Sequence, residues 1–140
     1  MGWRRWRPVR RVPIPVVVAL LLGRGRVFMM KRLPTKPFGG QWEFPGGKVE
    51  IGEPPTLALR RELREELSLR VGRLTLFGAY SHVYDLPSGP VHYVLIAYRA
   101  NVRDGPWSRR GAWIDVLGAT TRKVVAGSEP ILRDLSPPKS

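Results

Sequence analysis

The apolar positions of this chain fall into runs of two different periods. Residues 16–22 read Val-Val-Val-Ala-Leu-Leu-Leu, an unbroken apolar stretch closed by Gly23. It is short for a helix and suits a strand buried on both faces. Gly23-Arg24-Gly25 then separates it from a second apolar run, Arg26–Lys31, which predicts a β-hairpin with a glycine-containing turn. Residues 33–40 hold two prolines and two glycines and predict a loop. Trp42-Glu43-Phe44 is a short strand-like piece that runs into Pro45-Gly46-Gly47, predicted as a sharp turn. Over residues 56–67 the period becomes helical, with Leu59, Leu63 and Leu67 forming an i,i+4 stripe to be buried. Residues 73–84 and 91–99 are rich in β-branched and aromatic side chains and predict two strands joined across the Pro/Gly-containing segment 85–90. A second loop over 101–111 precedes a short strand at 112–116. Ser128, Glu129 and Pro130 suit the N-cap, N1 and N2 of a closing helix through about Leu135, and Pro137-Pro138 ends the ordered chain. There is no internal repeat. The order β-β-β-α-β-β-β-α predicts an α/β fold with a mixed sheet sandwiched between helices.

Composition narrows the picture. A chain of 140 residues with 43% hydrophobic content suits one globular domain. It has no cysteine, which excludes disulfides, thiolate metal sites and a thiol nucleophile. His82 and His92 lie ten apart on predicted strands and are read as packed residues rather than ligands. The formal net charge is +13, and five of the basic residues are arginines at positions 4, 5, 7, 10 and 11, so +8 belongs to the rest. Such a surplus attracts polyanions and steers phosphorylated substrates. Trp3 and Trp6 are placed to stack on bases, so weak nucleic-acid binding through this end is a competing expectation to a mere arginine bias. The predicted organisation is a flexible basic arm over 1–11, a folded domain over 12–136 and a disordered tail over 137–140. Paired arginines before an apolar run look superficially like an export signal. Two prolines interrupt the run, no small-x-small cleavage site follows, and it falls well short of the ~20 residues of a membrane span. A cytoplasmic chain without a membrane partner, monomeric or homodimeric, is expected.

The charged residues of the helix carry the chemistry. Glu62, Glu65 and Glu66 sit at i, i+3 and i+4, so their carboxylates share one side of the helix, and Glu53 lies just ahead of it beyond Pro54-Pro55. Like charges at these spacings destabilise an isolated helix by about 0.2–0.5 kcal/mol per pair. A hard divalent cation with oxygen ligands, Mg²⁺ above all or Mn²⁺, would turn that repulsion into coordination. A solvated helix face with Arg60, Arg61 and Arg64 as partners has the same spacing. The strand and glycine turn in front of the helix favour a built constellation over a charge run.

With Gly47, Glu53, Arg61, Glu62, Leu63, Glu65, Glu66 and Leu69 in register, the segment resembles the signature of the Nudix hydrolases: Gly, five residues, Glu, seven residues, then Arg-Glu-aliphatic-x-Glu-Glu-x-Gly-aliphatic. Ser68 replaces the final glycine. The resemblance implies a Nudix α/β/α sandwich that uses Mg²⁺ to hydrolyse a nucleoside diphosphate linkage. It implies that Glu62, Glu65 and Glu66 hold the metal with the carbonyl oxygen of Gly46. Gly47 belongs to the same box, and Glu53 and Arg61 would form a supporting ion pair. Either a box glutamate, Glu65 foremost, activates the attacking water, or Asp104 swings in to do so.

Residues 26–47 resemble the MutT-type branch, whose members clean 8-oxo-dGTP and related nucleotides. That resemblance places Arg32 and Phe44 at the substrate base. Gly127-Ser128-Glu129-Pro130 resembles the branch's Asn-Glu-Pro segment, with Ser128 where an asparagine reads the modified purine. A hydroxyl does not supply an amide's paired donor and acceptor, so little 8-oxoguanine selectivity is expected. The loop glutamate of that branch has no counterpart; Asp104 is the acid available there, and Arg109 and Arg110 are candidates to grip phosphates. Other Nudix activities, on ADP-ribose, dinucleoside polyphosphates or capped RNA ends, and a non-catalytic nucleic-acid module are the competing readings.

Overall fold

The computed structural model describes residues 12–102, 105–106, 108–119 and 122–136. The basic arm, Asp104 and the tail from residue 137 lie outside the described residues.

The long apolar run becomes β1 (Ile14–Gly23), the hub of the sheet. It pairs antiparallel with β2 (Arg26–Lys31) at Leu22↔Val27 and parallel with β6 (Gly89–Asn101) from Ile14↔Tyr93 to Leu22↔Asn101. β5 (Thr75–Leu86) lies antiparallel on β6, while β3 (Trp42–Glu43) and β7 (Gly111–Asp115) pair with β2 and β4 (Gly46–Lys48) pairs with β1. The result is a mixed sheet of order β3-β2-β1-β6-β5, with β4 and β7 attached off that path.

Strand alternation builds two cores from one run. Val17, Ala19 and Leu21 face α1 (Pro55–Leu67) together with Phe28 and Met30, against Ala58, Leu59, Leu63 and Leu67. Val18 and Leu20 face the opposite side with Val27 and Met29, against Ile131 and Leu132 of α3 (Glu129–Leu135). A sheet covered on both faces is what an uninterrupted apolar strand requires. The fold is therefore the α/β/α sandwich expected.

Several boundaries differ from expectation. Gly46 and Gly47 are not a free turn but the start of β4, paired with Val18 and Val17. Glycine is needed at Gly46 because a Cβ there would run into the Val17 carbonyl. The connection between β5 and β6 shrinks to Pro87-Ser88, since Asp85 pairs with Pro90 and Leu86 with Gly89. Strand propagation consumed residues whose Pro/Gly content read as loop. A short α2 (Val116–Ala119) and a 3-10 turn (Ala126–Ser128) were not anticipated. Ser128 precedes α3 as its N-cap position, but its side chain makes no capping hydrogen bond, and the residue is buried.

Candidate active site

The helix α1 ends in a way that bears on its acidic face. Ser68 adopts φ 51°, a left-handed conformation normally given to glycine, and its N–H bonds the Arg64 carbonyl at 3.0 Å while Leu69 N–H reaches Leu63 at 3.1 Å. The helix thus keeps its glycine-type terminus without glycine.

Arg61 is the organising cation of the acidic face. Its Nε and Nη2 donate to Glu53 Oε2 and Oε1 at 2.8 and 3.0 Å, a bidentate fork. Its Nη1 donates to Glu62 at 2.9 Å and to Glu65 at 3.3 Å. The Glu53 hydrogen bonds come first in pushing the guanidinium well above its ordinary range, with Glu62 next. Those from Arg61, followed by the one from the Glu50 N–H, hold Glu53 below the usual carboxylate range. Arg61 Nη2 also reaches the Lys48 carbonyl at 3.2 Å, so one guanidinium ties β4, the Glu53 loop and α1 together.

Glu66 stands apart from this web. Its Oε1 accepts the Gly46 N–H at 3.2 Å. The residue as a whole is exposed, but its carboxyl sits in the mouth of the cleft, where burial pushes its pKa up to about 7, helped by repulsion from Glu62. Glu62 in turn lies directly on Gly47, where any Cβ would collide with its carboxyl.

The expected convergence of Glu62, Glu65 and Glu66 is only partial. Among the described residues no three acidic or histidine side chains form a ready metal cage, because Arg61 draws Glu62 and Glu65 to itself while Glu66 is held by Gly46. The donors nonetheless fit a hard cation. They are carboxylate oxygens beside a backbone strand of glycines, the oxygen donors that a hard divalent cation takes.

Above this face opens a cleft of about 420 Å³. Gly46, Gly47 and Glu66 line it together with Arg32, Phe44, Arg110 and Ser128. Arg32 is pinned rather than solvated, donating from Nη1 to Glu43 at 2.9 Å and from Nε to the Pro37 carbonyl at 2.8 Å. Phe44 is 4% exposed and belongs to the core as well as to the cleft wall, and Ser128 is 3% exposed. Arg110 lines the cleft and donates to the Lys31 carbonyl at 3.2 Å, whereas Arg109 is exposed and not part of the lining. Sequence reasoning missed the aromatic side of this cleft: Phe38, Tyr84 and Tyr93. Phe38 lay in a Pro/Gly loop, and the tyrosines sat on strands with no motif; alternation on paired β5 and β6 is the signal that would have joined the last two. His82, read as packed, lies edge-on against Tyr84 with ring centroids 4.5 Å apart.

The α/β/α sandwich, the acidic helix beside a glycine strand and the cleft they line match the arrangement that the resemblance to the Nudix hydrolases implied. The chain belongs to the NUDIX domain family, whose model matches residues 11–135. It is 29% identical over 113 residues to the 8-oxo-dGTP diphosphatase of Escherichia coli, covering 78% of this chain and 84% of that one. It is also 45% identical over 56 residues to the CTP pyrophosphohydrolase of the same organism, covering 40% and 42%. Its fold matches the crystal structure of a MutT NUDIX hydrolase from Burkholderia pseudomallei with a TM-score of 0.79 and 26% identity, over 90% of this chain and all of that one. Among the described residues no helix is long and apolar enough to cross a membrane.

Proposed function

We propose that the chain hydrolyses a nucleoside triphosphate, a deoxynucleotide foremost, to the monophosphate and pyrophosphate in a Mg²⁺-dependent reaction, with Mn²⁺ as a substitute. The observation that carries this is continuity: Glu66, Gly46 and Gly47 line the same cleft as Arg32, Phe44 and Ser128. A phosphate chain lying on the acidic wall would leave its base among the aromatic residues.

Glu62, Glu65 and Glu66, with the Gly46 carbonyl, would hold the ion, which supplies charge neutralisation at the phosphoryl oxygens and a lowered pKa for water when bound. Arg61 and Glu53 keep α1 fixed to the β4 loop, so the carboxylates hold their positions while the phosphates load. Arg110, which lines the cleft, would meet phosphate oxygens; Arg109, exposed and outside the lining, would have to swing in. A box glutamate, Glu65 foremost, would accept the proton of the attacking water, since it is far more exposed than Glu62 and is held by Arg61 only at 3.3 Å.

The similarity to an 8-oxo-dGTP diphosphatase favours a nucleotide-cleaning role, and Ser128 in place of an asparagine favours low 8-oxo selectivity. The test is kcat/KM for 8-oxo-dGTP, dGTP and CTP, with Ser128→Asn alongside. A modest preference for 8-oxo-dGTP that rises by one to two orders of magnitude in Ser128→Asn is expected, from the ~1–3 kcal/mol a buried hydrogen-bonding partner is worth. A wild-type preference of several thousand-fold would place base reading elsewhere. A preference for CTP would favour the reading suggested by the second relative.

A further inference from the structure

A second hollow opens toward the other end of the sheet from the cleft. It measures about 340 Å³ and is lined by Leu22, Arg73, Thr75, Arg99, Ala100 and Asn101. The cleft reaches Val18 on β1 and Leu95 on β6, whereas this hollow begins four residues further along each strand. Four residues of strand span roughly 13 Å. Alternation sets both on one face of the sheet, because Leu22 continues the row of Val18 and Leu20. Arg99 and Asn101 likewise continue the row of Leu95 and Ala97.

The main chain holds the polar groups of the hollow in place. Arg99 lies opposite Thr75 in the β5–β6 ladder, and Asn101 beside Leu22 in the β1–β6 ladder. Arg73 comes from the loop between α1 and β5. Arg60 of α1 fixes that loop, donating from Nη1 to the Val71 carbonyl at 2.7 Å and from Nη2 to the Gly72 carbonyl at 2.8 Å. Two guanidiniums, a hydroxyl and an amide therefore border one concave site.

No acid lines the hollow, and among the described residues Arg60, Arg73 and Arg99 form no ion pair. With 24 Lys and Arg against 11 Asp and Glu, many cations of this chain must lack a carboxylate. Here two of them share a concavity instead of pointing apart into solvent. Guanidinium forks match the oxygens of a phosphate group. No aromatic ring lines the hollow, so a base finds nothing there to stack on.

We propose that the hollow between Arg73 and Arg99 is a second binding site for a phosphate group, separate from the cleft. Thr75 and Asn101 complete the donor set with a hydroxyl and an amide. The phosphate belongs to free pyrophosphate or to the backbone of a single-stranded nucleic acid, which present the same oxygens. The site does not depend on which nucleotide the cleft cleaves.

The experiment is calorimetric titration of the full chain with inorganic pyrophosphate and, separately, with oligothymidylate lacking a terminal phosphate. Excess chelator is present, so the acidic box has no cation with which to hold phosphate. Wild type is compared with Arg73→Gln, Arg99→Gln and, as the control for the cleft, Arg110→Gln. Arg73 and Arg99 are exposed, so both variants should fold, and melting curves verify it. Each should weaken binding of at least one probe about tenfold, the scale of one charge-assisted hydrogen bond, while Arg110→Gln changes it little. Loss with pyrophosphate makes the free anion a ligand; loss with oligothymidylate alone assigns the site to a nucleic-acid backbone. Equal weakening in all three variants would mean that net charge alone draws the anion, and overturns the site. So would binding that survives either Arg73→Gln or Arg99→Gln, or no binding of either probe to wild type. Triphosphate cleavage with Mg²⁺ should be unchanged in Arg73→Gln and Arg99→Gln, which separates failure of this site from failure of the proposed function.

Discussion

Arg61 and Glu53 meet in a two-pronged hydrogen bond, 2.8 and 3.0 Å, with both side chains mostly withdrawn from solvent. This pair joins the loop before α1 to the helix that carries the remaining glutamates. Because Glu53 is held below its ordinary value of 4.5, its ionised form favours the fold at pH values above that, and this contribution fades as pH falls through the folded-state pKa. Glu53→Gln should accordingly melt lower than wild type at pH 7, and the gap should close on acidification below about pH 4.5. Melting curves across pH 3–7 check it; a gap that widens toward acid would contradict the assigned pair.

Ser68 occupies a left-handed backbone conformation at the end of α1. A side chain there costs about 1 kcal/mol relative to glycine. Ser68→Gly should therefore raise the melting temperature by about 2–4 °C and leave activity unchanged. A drop in melting temperature would mean that the serine hydroxyl contributes something the backbone geometry does not reveal.

Gly47 presses against the Glu62 carboxyl so closely that a methyl group has no room. Gly47→Ala should displace Glu62 and lower metal affinity or activity about 10–100-fold while the protein stays folded. Calorimetric Mg²⁺ titration with circular dichroism separates the two effects. Unchanged metal affinity in a folded Gly47→Ala would remove Glu62 from the ligand set.

The layering was readable because it follows from period alone. A seven-residue apolar run cannot face solvent on either side, and Leu59, Leu63 and Leu67 can only close one side of it. The acidic box was readable because its residues are local, spaced by one helix. What escaped depends on pairing between distant strands. Tyr84 and Tyr93 reach the cleft through β5–β6 register, and nothing within either strand marks them. Ser128 holds both places its sequence suggests, N-cap position and cleft residue; only the capping hydrogen bond is missing, because pattern shows position and not which partner a hydroxyl takes. The competition between Arg61 and a cation for Glu62 and Glu65 is also invisible in sequence, since spacing shows proximity and not which partner wins.

The basic arm makes a separable prediction. Residues 1–11 carry five arginines, and every strand and helix described lies after residue 13. A chain starting at Val12 should keep its nucleotide hydrolysis. Any binding to single-stranded RNA or DNA should weaken, with a shallower dependence on salt, because fewer phosphates are neutralised. An identical salt slope would assign the nucleic-acid contacts to the folded domain.

The most direct test of the account is pyrophosphate release from a deoxynucleoside triphosphate, followed with Mg²⁺ and with excess chelator, in wild type, Glu65→Gln and Glu66→Gln. Release should depend on the cation, stop with chelator, and fall by about 10²–10⁴ in each variant, the range for loss of an acid–base or charge-stabilising group. Undiminished release in excess chelator, or full activity in both variants, would contradict a metal-dependent acidic box as the seat of the chemistry.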